Sequence, residues 1–248
     1  MKKSFLFLII SAWMFAGCTK DEPVVEVVVF SANGNINAKL DEFRTQLGAL
    51  NTTTGMTTGR REINWDGVPD SLMGLRLPGD FFNPTAAGSP AARQRGMVYL
   101  GSGEPVVSKT NFADVNALAA TEFSAFSGTK TFAVTNSIQW PVNFRVAGQN
   151  TPATVKGFGI VFSDADGNNT TFIEFFHDER SLGKFFVPAH DGTSKFSFLG
   201  VYFPSETVTH VMVGHQGKLS DGGKDFSQGG TADLVILDDF IYSEPVAR

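Results

Sequence analysis

The chain has 248 residues, 42% of them hydrophobic and 18% charged, a balance that suits a globular protein with a sizeable core. A formal charge of -5 speaks against nucleic acid, which selects for basic faces. One Cys excludes an internal disulfide framework and any Cys-rich zinc site.

The N-terminus reads MKKSFLFLIISAWMFAGC. Lys2 and Lys3 precede an apolar run, Phe5 to Phe15, that is too short for an anchoring membrane helix. Residues 1–17 therefore read as a signal peptide. Its end, Phe15-Ala16-Gly17-Cys18, resembles the lipobox of bacterial lipoproteins, with Phe15 in place of the usual Leu. That resemblance implies cleavage before Cys18 and acylation of its thiol, holding the protein on a membrane. An ordinary signal peptide with an incidental Cys is the alternative. Cleavage removes Lys2 and Lys3 and takes the formal charge from -5 to about -7. Lys20-Asp21-Glu22 resembles the surface-export tag of some outer-membrane lipoproteins, although a solvated tether reads the same way. The expected location is the outer membrane, facing the periplasm or the surface.

Residues 18–34 form an acylated tether with a candidate first strand in Pro23 to Phe30. Residues 35–248 read as one β-sandwich domain opening with a helix. Ile36, Leu40, Phe43 and Leu47 recur at helical spacing, Asn35 or Asn37 suits the cap, and Gly48 suits the end. Asn51 to Gly59 reads as a surface loop. Strand patterns then follow at short intervals: Gly157–Asp164, Thr170–His177, Leu182–Val187, Lys195–Phe203, Val208–Val213 and Leu234–Tyr242. The expected fold is all-β, a jelly-roll-like antiparallel sandwich with a short N-terminal helix. The 24 Phe residues read as core filling.

Phe43-Arg44, Leu47-Gly48, GRREINWDGVPD (Gly59 to Asp70), LPGDFFN (Leu77 to Asn83), Arg95-Gly96 and LDDFIYSEP (Leu237 to Pro245) resemble a family of uncharacterised exported bacterial proteins. The likeness also runs through Pro152 to Asp166, Leu182 to Pro188 and Phe196 to Pro204. It implies export and a shared fold, and it brings no activity. The C-terminal half is similar in pattern to jelly-roll modules that bind glycans, a likeness of fold only.

Three constellations carry candidate chemistry. In the first, Arg60, Arg61, Asn64, Trp65 and Asp66 would form a glycan site if Trp65 offered an exposed ring face. Otherwise Trp65 lies in the core and the arginines pair with carboxylates to pin the helix and loop, as the burial habits of Trp favour. In the second, Asp164-Ala165-Asp166-Gly167-Asn168 opens like a calcium loop but lacks the rest of an EF-hand, so a plain turn competes. In the third, an extended strand would put Asp238 and Asp239 on opposite faces, leaving one carboxylate against apolar neighbours. An Arg, backbone N–H groups at a bulge, or a calcium ion shared with Asp164 and Asp166 would each resolve that conflict.

The leading function is a non-catalytic binding or adhesion module for a glycan or surface polymer. A carbohydrate hydrolase with paired carboxylates, such as Glu174 with Asp239, and a purely structural envelope role are the alternatives. No GxSxG, HExxH or phosphate loop occurs, and His177, His190, His210 and His215 match no zinc spacing and read as scattered surface residues.

Overall fold

The computed structural model describes residues 25–248, so Cys18 and the whole leader lie outside the described residues. Helix α1 spans Asn37–Leu47 and buries Leu40, Phe43 and Leu47. The Asn35 side chain accepts the Asn37 N–H at 3.3 Å, and the Gly48 N–H closes the far end on the Arg44 and Thr45 carbonyls.

In chain order the strands are β1 (Val28–Asn33), β2 (Arg60–Ile63), β3 (Met97–Val98), β4 (Pro105–Ser108), β5 (Thr131–Val134), β6 (Gln139–Phe144), β7 (Ala153–Thr154), β8 (Gly157–Ser163), β9 (Phe172–His177), β10 (Arg180–Phe186), β11 (Phe196–Tyr202), β12 (His210–Gly214), β13 (Ile236–Ser243) and β14 (Val246–Ala247). One sheet runs β1-β11-β8-β13-β5-β4, with β2 also paired to β13; the second runs β10-β9-β12-β6-β3. Every ladder is antiparallel. From β5 onward the chain crosses repeatedly between the sheets, as a jelly roll does. The fold is thus an all-β antiparallel sandwich with one short helix.

The six C-terminal strands begin and end within two residues of the bounds expected from alternation, whereas the first strand lies further along, at Val28–Asn33 rather than Pro23 to Phe30. Its burial alternates weakly, because β1 is an edge strand paired only to β11.

The inner faces of both sheets share one core, in which Phe158, Ile160, Phe162, Leu237, Phe240 and Tyr242 meet Trp140, Val142, Ile173, Phe175, Val211 and Val213. On the outer face of the larger sheet, α1 forms a second cluster with Phe30, Val161, Phe198 and Ile241. Phe43 settles there onto a floor of two cross-strand glycines, Gly159 and Gly200. A Cβ on Gly159 would lie 2.8 Å from the Gly200 Cα and 3.0 Å from the Phe43 ring, closer than packed carbons approach.

Gly159→Ala should therefore lift α1 off the sheet and destabilise the domain by about 1–3 kcal/mol. Gly67→Ala, where a new Cβ meets nothing within 4 Å, should be nearly neutral. Denaturant midpoints for the two variants check this, and equal midpoints would show that the contact is soft.

Candidate functional site

Strand β13 carries the feature on which the Asp238–Asp239 geometry turns. Leu237 pairs with Phe162 and Phe240 with Ile160, so three steps on β13 match two on β8. The extra residue is a β-bulge. Val235, Leu237, Phe240 and Tyr242 all enter the shared core, while Ile236 and Ile241 lie in the outer clusters. The expected conflict of faces is therefore corrected: the bulge turns both carboxylates away from the inner core. Asp238 accepts the Phe126 and Ser127 N–H groups at 2.6 and 3.0 Å. Asp239 accepts the Ser127 hydroxyl and pairs with Arg44 at 3.4 Å. Burial raises both pKa values, with the charges of Asp239 and Asp66 adding to the rise at Asp238 and that of Glu62 at Asp239. Their oxygens are engaged by N–H, O–H and guanidinium donors, which leaves no cage for an ion at this point. The calcium site expected there is not what the strand builds.

Trp65 is 2% exposed and cannot serve as a surface platform. It stacks on Phe132 at 4.0 Å, meets Phe240 and Phe82 edge-on, and donates from Nε1 to the Asp238 carbonyl at 2.8 Å. Its backbone is left-handed, with φ 67°, a costly conformation that these four contacts hold in place. Arg61 is buried in a two-pronged pair with Glu244 at 2.6 and 2.7 Å. Arg60 pairs with Glu62 at 2.6 Å and donates to the Gly48 carbonyl, tying β2 to the end of α1. Asp66 accepts the Thr129 N–H at 2.9 Å. Asn64 alone of the five is exposed. The block is an ionic framework around a buried Trp.

Glu174 and Asp239 do not pair. Glu174 points outward from β9 in the smaller sheet, beside Ser181 and Lys184, while Asp239 faces α1 outside the larger sheet. The whole sandwich, about 10 Å between sheets, separates them.

Two other places collect chemistry. At the end of the sandwich where β8 starts and β11 and β13 finish, a groove of about 470 Å³ runs between α1, the Thr57–Gly59 turn, β7 and β14. The half-buried Tyr202 lies in its wall with Gln46, Thr57, Thr58, Thr154 and Lys156. Lys156 Nζ donates to the Pro204 carbonyl at 2.9 Å. The side chains of Gln46, Thr57, Thr58, Thr154 and Tyr202 make no hydrogen bond among the described residues.

At the opposite end, the loop after β8 places Asp164 and Asp166 beside His190, and Asp166 also beside Asp225 and Asp233 from the loop before β13. His190 Nε2 lies 2.9 Å from Asp166 Oδ1, and Asp225 and Asp233 each bring an oxygen within 4.8 Å of one on Asp166. Burial pushes the Asp164 carboxyl up to about 8, helped by the charges of Asp225 and Asp166. Burial also raises Asp166, next to Asp225, and Asp233. Burial opposes charge on Asp225 too, yet its contacts with Asp166 and with the Leu234 and Ser227 N–H groups bring its pKa down. Sequence alone flagged Asp164 and Asp166 through the DxDxN pattern but gave no sign of Asp225 and Asp233, which lie in an irregular Gly-rich loop. Nor are the histidines all scattered surface residues: His190 joins this cluster, and His215 is buried on the Gly217 carbonyl, with burial pushing it down to about 4.

No family model matches the chain, and no curated protein does. Among solved structures, the K2 cleaved adhesin domain of Lys-gingipain is similar at a TM-score of 0.35 and 9% identity, covering 67% of this chain and 97% of that one. So weak a likeness transfers neither topology nor role.

Trp65→Ala should cost about 3–5 kcal/mol, as truncation of a fully packed aromatic does. Arg61→Met should cost a similar amount, about 3–5 kcal/mol, because Glu244 would stay buried without its partner. Equilibrium unfolding of each variant measures both, and adding Glu244→Gln to Arg61→Met should restore much of the second loss.

Proposed function

We propose that the protein is an envelope lipoprotein, tethered through Cys18, whose sandwich is a non-catalytic module that binds a neutral glycan or surface polymer in the Tyr202 groove. The observation that carries this reading is the contrast between two of the surface clefts. The cleft at Arg44, Glu62, Arg95 and Asp239 is lined by groups already committed to one another. The Tyr202 groove instead offers an aromatic ring beside uncommitted hydroxyl and amide groups, with its one lysine turned to a backbone carbonyl. Sugars want such a surface: an apolar ring face for their C–H side and neutral donors and acceptors for their hydroxyls.

The tether supports the same placement. Val28 pairs with Tyr202, so β1 begins at the groove end of the sandwich. Nine residues, Thr19 to Val27, separate Cys18 from that pairing, a reach of at most about 35 Å. The groove then stays close to the membrane surface, within reach of polymers attached to it. The leader pattern and the resemblance to exported proteins support the same compartment. The hydrolase alternative loses its named pair, since Glu174 and Asp239 lie on opposite outer faces.

A glycan array probed with the soluble mature domain should find a ligand. Tyr202→Ala should weaken it at least about tenfold with the fold retained, and Tyr202→Phe should keep most of the affinity. An empty array, or a Tyr202→Ala variant that binds as well as the parent, would remove the groove from consideration. For the anchor, Cys18→Ser should leave unprocessed precursor without acyl mass, as intact mass and detergent partition report. A wild-type chain cut elsewhere and carrying no lipid would end the tether reading.

A further inference from the structure

The acidic end of the sandwich contains an arrangement that hydrogen bonding within the chain does not satisfy. Asp164 and Asp233 are each 1% exposed, and Asp225 is fully buried. Asp164 Oδ2 and Asp233 Oδ1 are sealed from solvent with no hydrogen-bond partner among the described residues. An unpartnered buried carboxylate oxygen is among the costliest groups a fold can hold. Here two of them sit on carboxylates that converge on Asp166.

The partners that do exist fix three of the carboxylates in place, whereas the Asp164 carboxylate accepts no hydrogen bond among the described residues. Asp233 Oδ2 accepts the Asp166 and Gly167 N–H groups at 3.1 and 3.3 Å and the Thr170 hydroxyl. Asp225 accepts the Leu234 and Ser227 N–H groups at 2.8 and 2.7 Å. Asp166 Oδ2 accepts the Ser227 N–H at 3.0 Å. The nearest ammonium, Lys195, donates to the Thr121 carbonyl at 2.6 Å and pairs with Glu122 at 3.5 Å. No Arg approaches the four carboxylates closely enough for an ion pair among the described residues.

We infer that Asp164, Asp166, Asp225 and Asp233 form a calcium site. Oxygen ligands from four carboxylates suit a hard cation, and calcium accepts six to eight of them in an adaptable geometry. Magnesium demands a near-ideal octahedron and keeps its waters, which a sealed cluster accommodates poorly. A softer ion would recruit His190, but that ring is otherwise engaged. Its Nδ1 accepts the Gly192 N–H at 3.1 Å, so Nε2 carries the proton and donates it to Asp166 Oδ1. His190 is thus a positioning residue that orients a ligand, not a ligand itself. The bound ion would join the loop after β8 to the loop before β13, two segments otherwise linked there by the hydrogen bonds to Asp233 and the Ser227 N–H bond to Asp166.

The full-length mature protein, stripped with EDTA and desalted, is titrated with calcium chloride and with magnesium chloride. Calorimetry should count one calcium per chain. At about one hundred times the dissociation constant, calcium should raise the melting temperature by about 5–10 °C over the chelated state. Magnesium at the same concentration should give less than half that shift. Asp164→Asn and Asp233→Asn should each lose the calcium response, and should melt in EDTA no lower than the parent, because each puts a neutral amide of the same shape where burial opposes a carboxylate's charge. That last reading separates a lost site from a damaged fold, and Asp41→Asn on the exposed face of α1 should respond like the parent. A flat calcium titration of the parent would overturn the site, as would an undiminished response in both Asn variants. A larger shift with zinc than with calcium would overturn the choice of ion.

Discussion

The bulge at Asp238–Asp239 is the constraint from which the rest of the sandwich is arranged. A strand that alternated regularly through this point would bring one carboxylate into the inner core, where the cost of an unpaired charge is several kcal/mol. One extra residue turns both acids outward and keeps Leu237 and Phe240 in the same core. The partners of the displaced acids then specify their surroundings. Phe126 and Ser127 N–H groups hold the loop before β5 against the strand, Arg44 holds α1 there, and Trp65 Nε1 caps the Asp238 carbonyl. The ion-pair chain continues from Arg44 through Glu62 to Arg60 and the Gly48 carbonyl. Helix, second strand and final strand are thereby one unit, although they lie far apart in sequence.

β8, β11 and β13 were legible as long, largely apolar runs, and β9, β10 and β12 as shorter apolar groups between turn residues. The helix was legible from Ile36, Leu40, Phe43 and Leu47. What alternation does not encode is a change of phase. The LDDF segment reads as a simple strand unless the cost of a buried Asp is taken as a sign of a bulge. The short strands between Arg60 and Phe144 are harder still: β3 to β5 have two to four residues each, all buried, so they show no alternation at all. The role of Trp65 was legible as a choice between two states, and its burial decides between them. Asp225 and Asp233 were not legible, because their meaning comes from a loop folding back onto the DxDxN turn.

The two ends of the sandwich carry opposite kinds of surface, and the strands keep them apart. β8 runs seven residues from Gly157, beside Tyr202, to Ser163, just before Asp164, which places about 20 Å between the groove and the acidic cluster. A ligand at one end need not disturb the other. With β1 starting at the groove end, the acidic loops lie at the opposite end from the start of that strand.

The treatment of charge within this one molecule argues that the acidic end is built for an occupant. Along β13 and β2 each buried carboxylate has a cation or N–H donors, and Asp66 Oδ2 is the one sealed carboxylate oxygen outside the acidic end that has no partner among the described residues. Glu244 has Arg61, Asp239 has Arg44, and Asp238 has two backbone amides and a hydroxyl. At the acidic end two such unpartnered oxygens fall in two adjoining groups, Asp164–Asp166–His190 and Asp166–Asp225–Asp233, that share Asp166. Protonation could neutralise part of the charge, and the raised pKa values of Asp164 and Asp233 show the pressure to do so. Yet a fold needing only neutral side chains there would be as well served by Asn, whose amide supplies its own donors. Three acids held by N–H groups beside a fourth, Asp164, that accepts none, with two sealed oxygens unpartnered among them, are wasteful as a fold element and coherent as a cage.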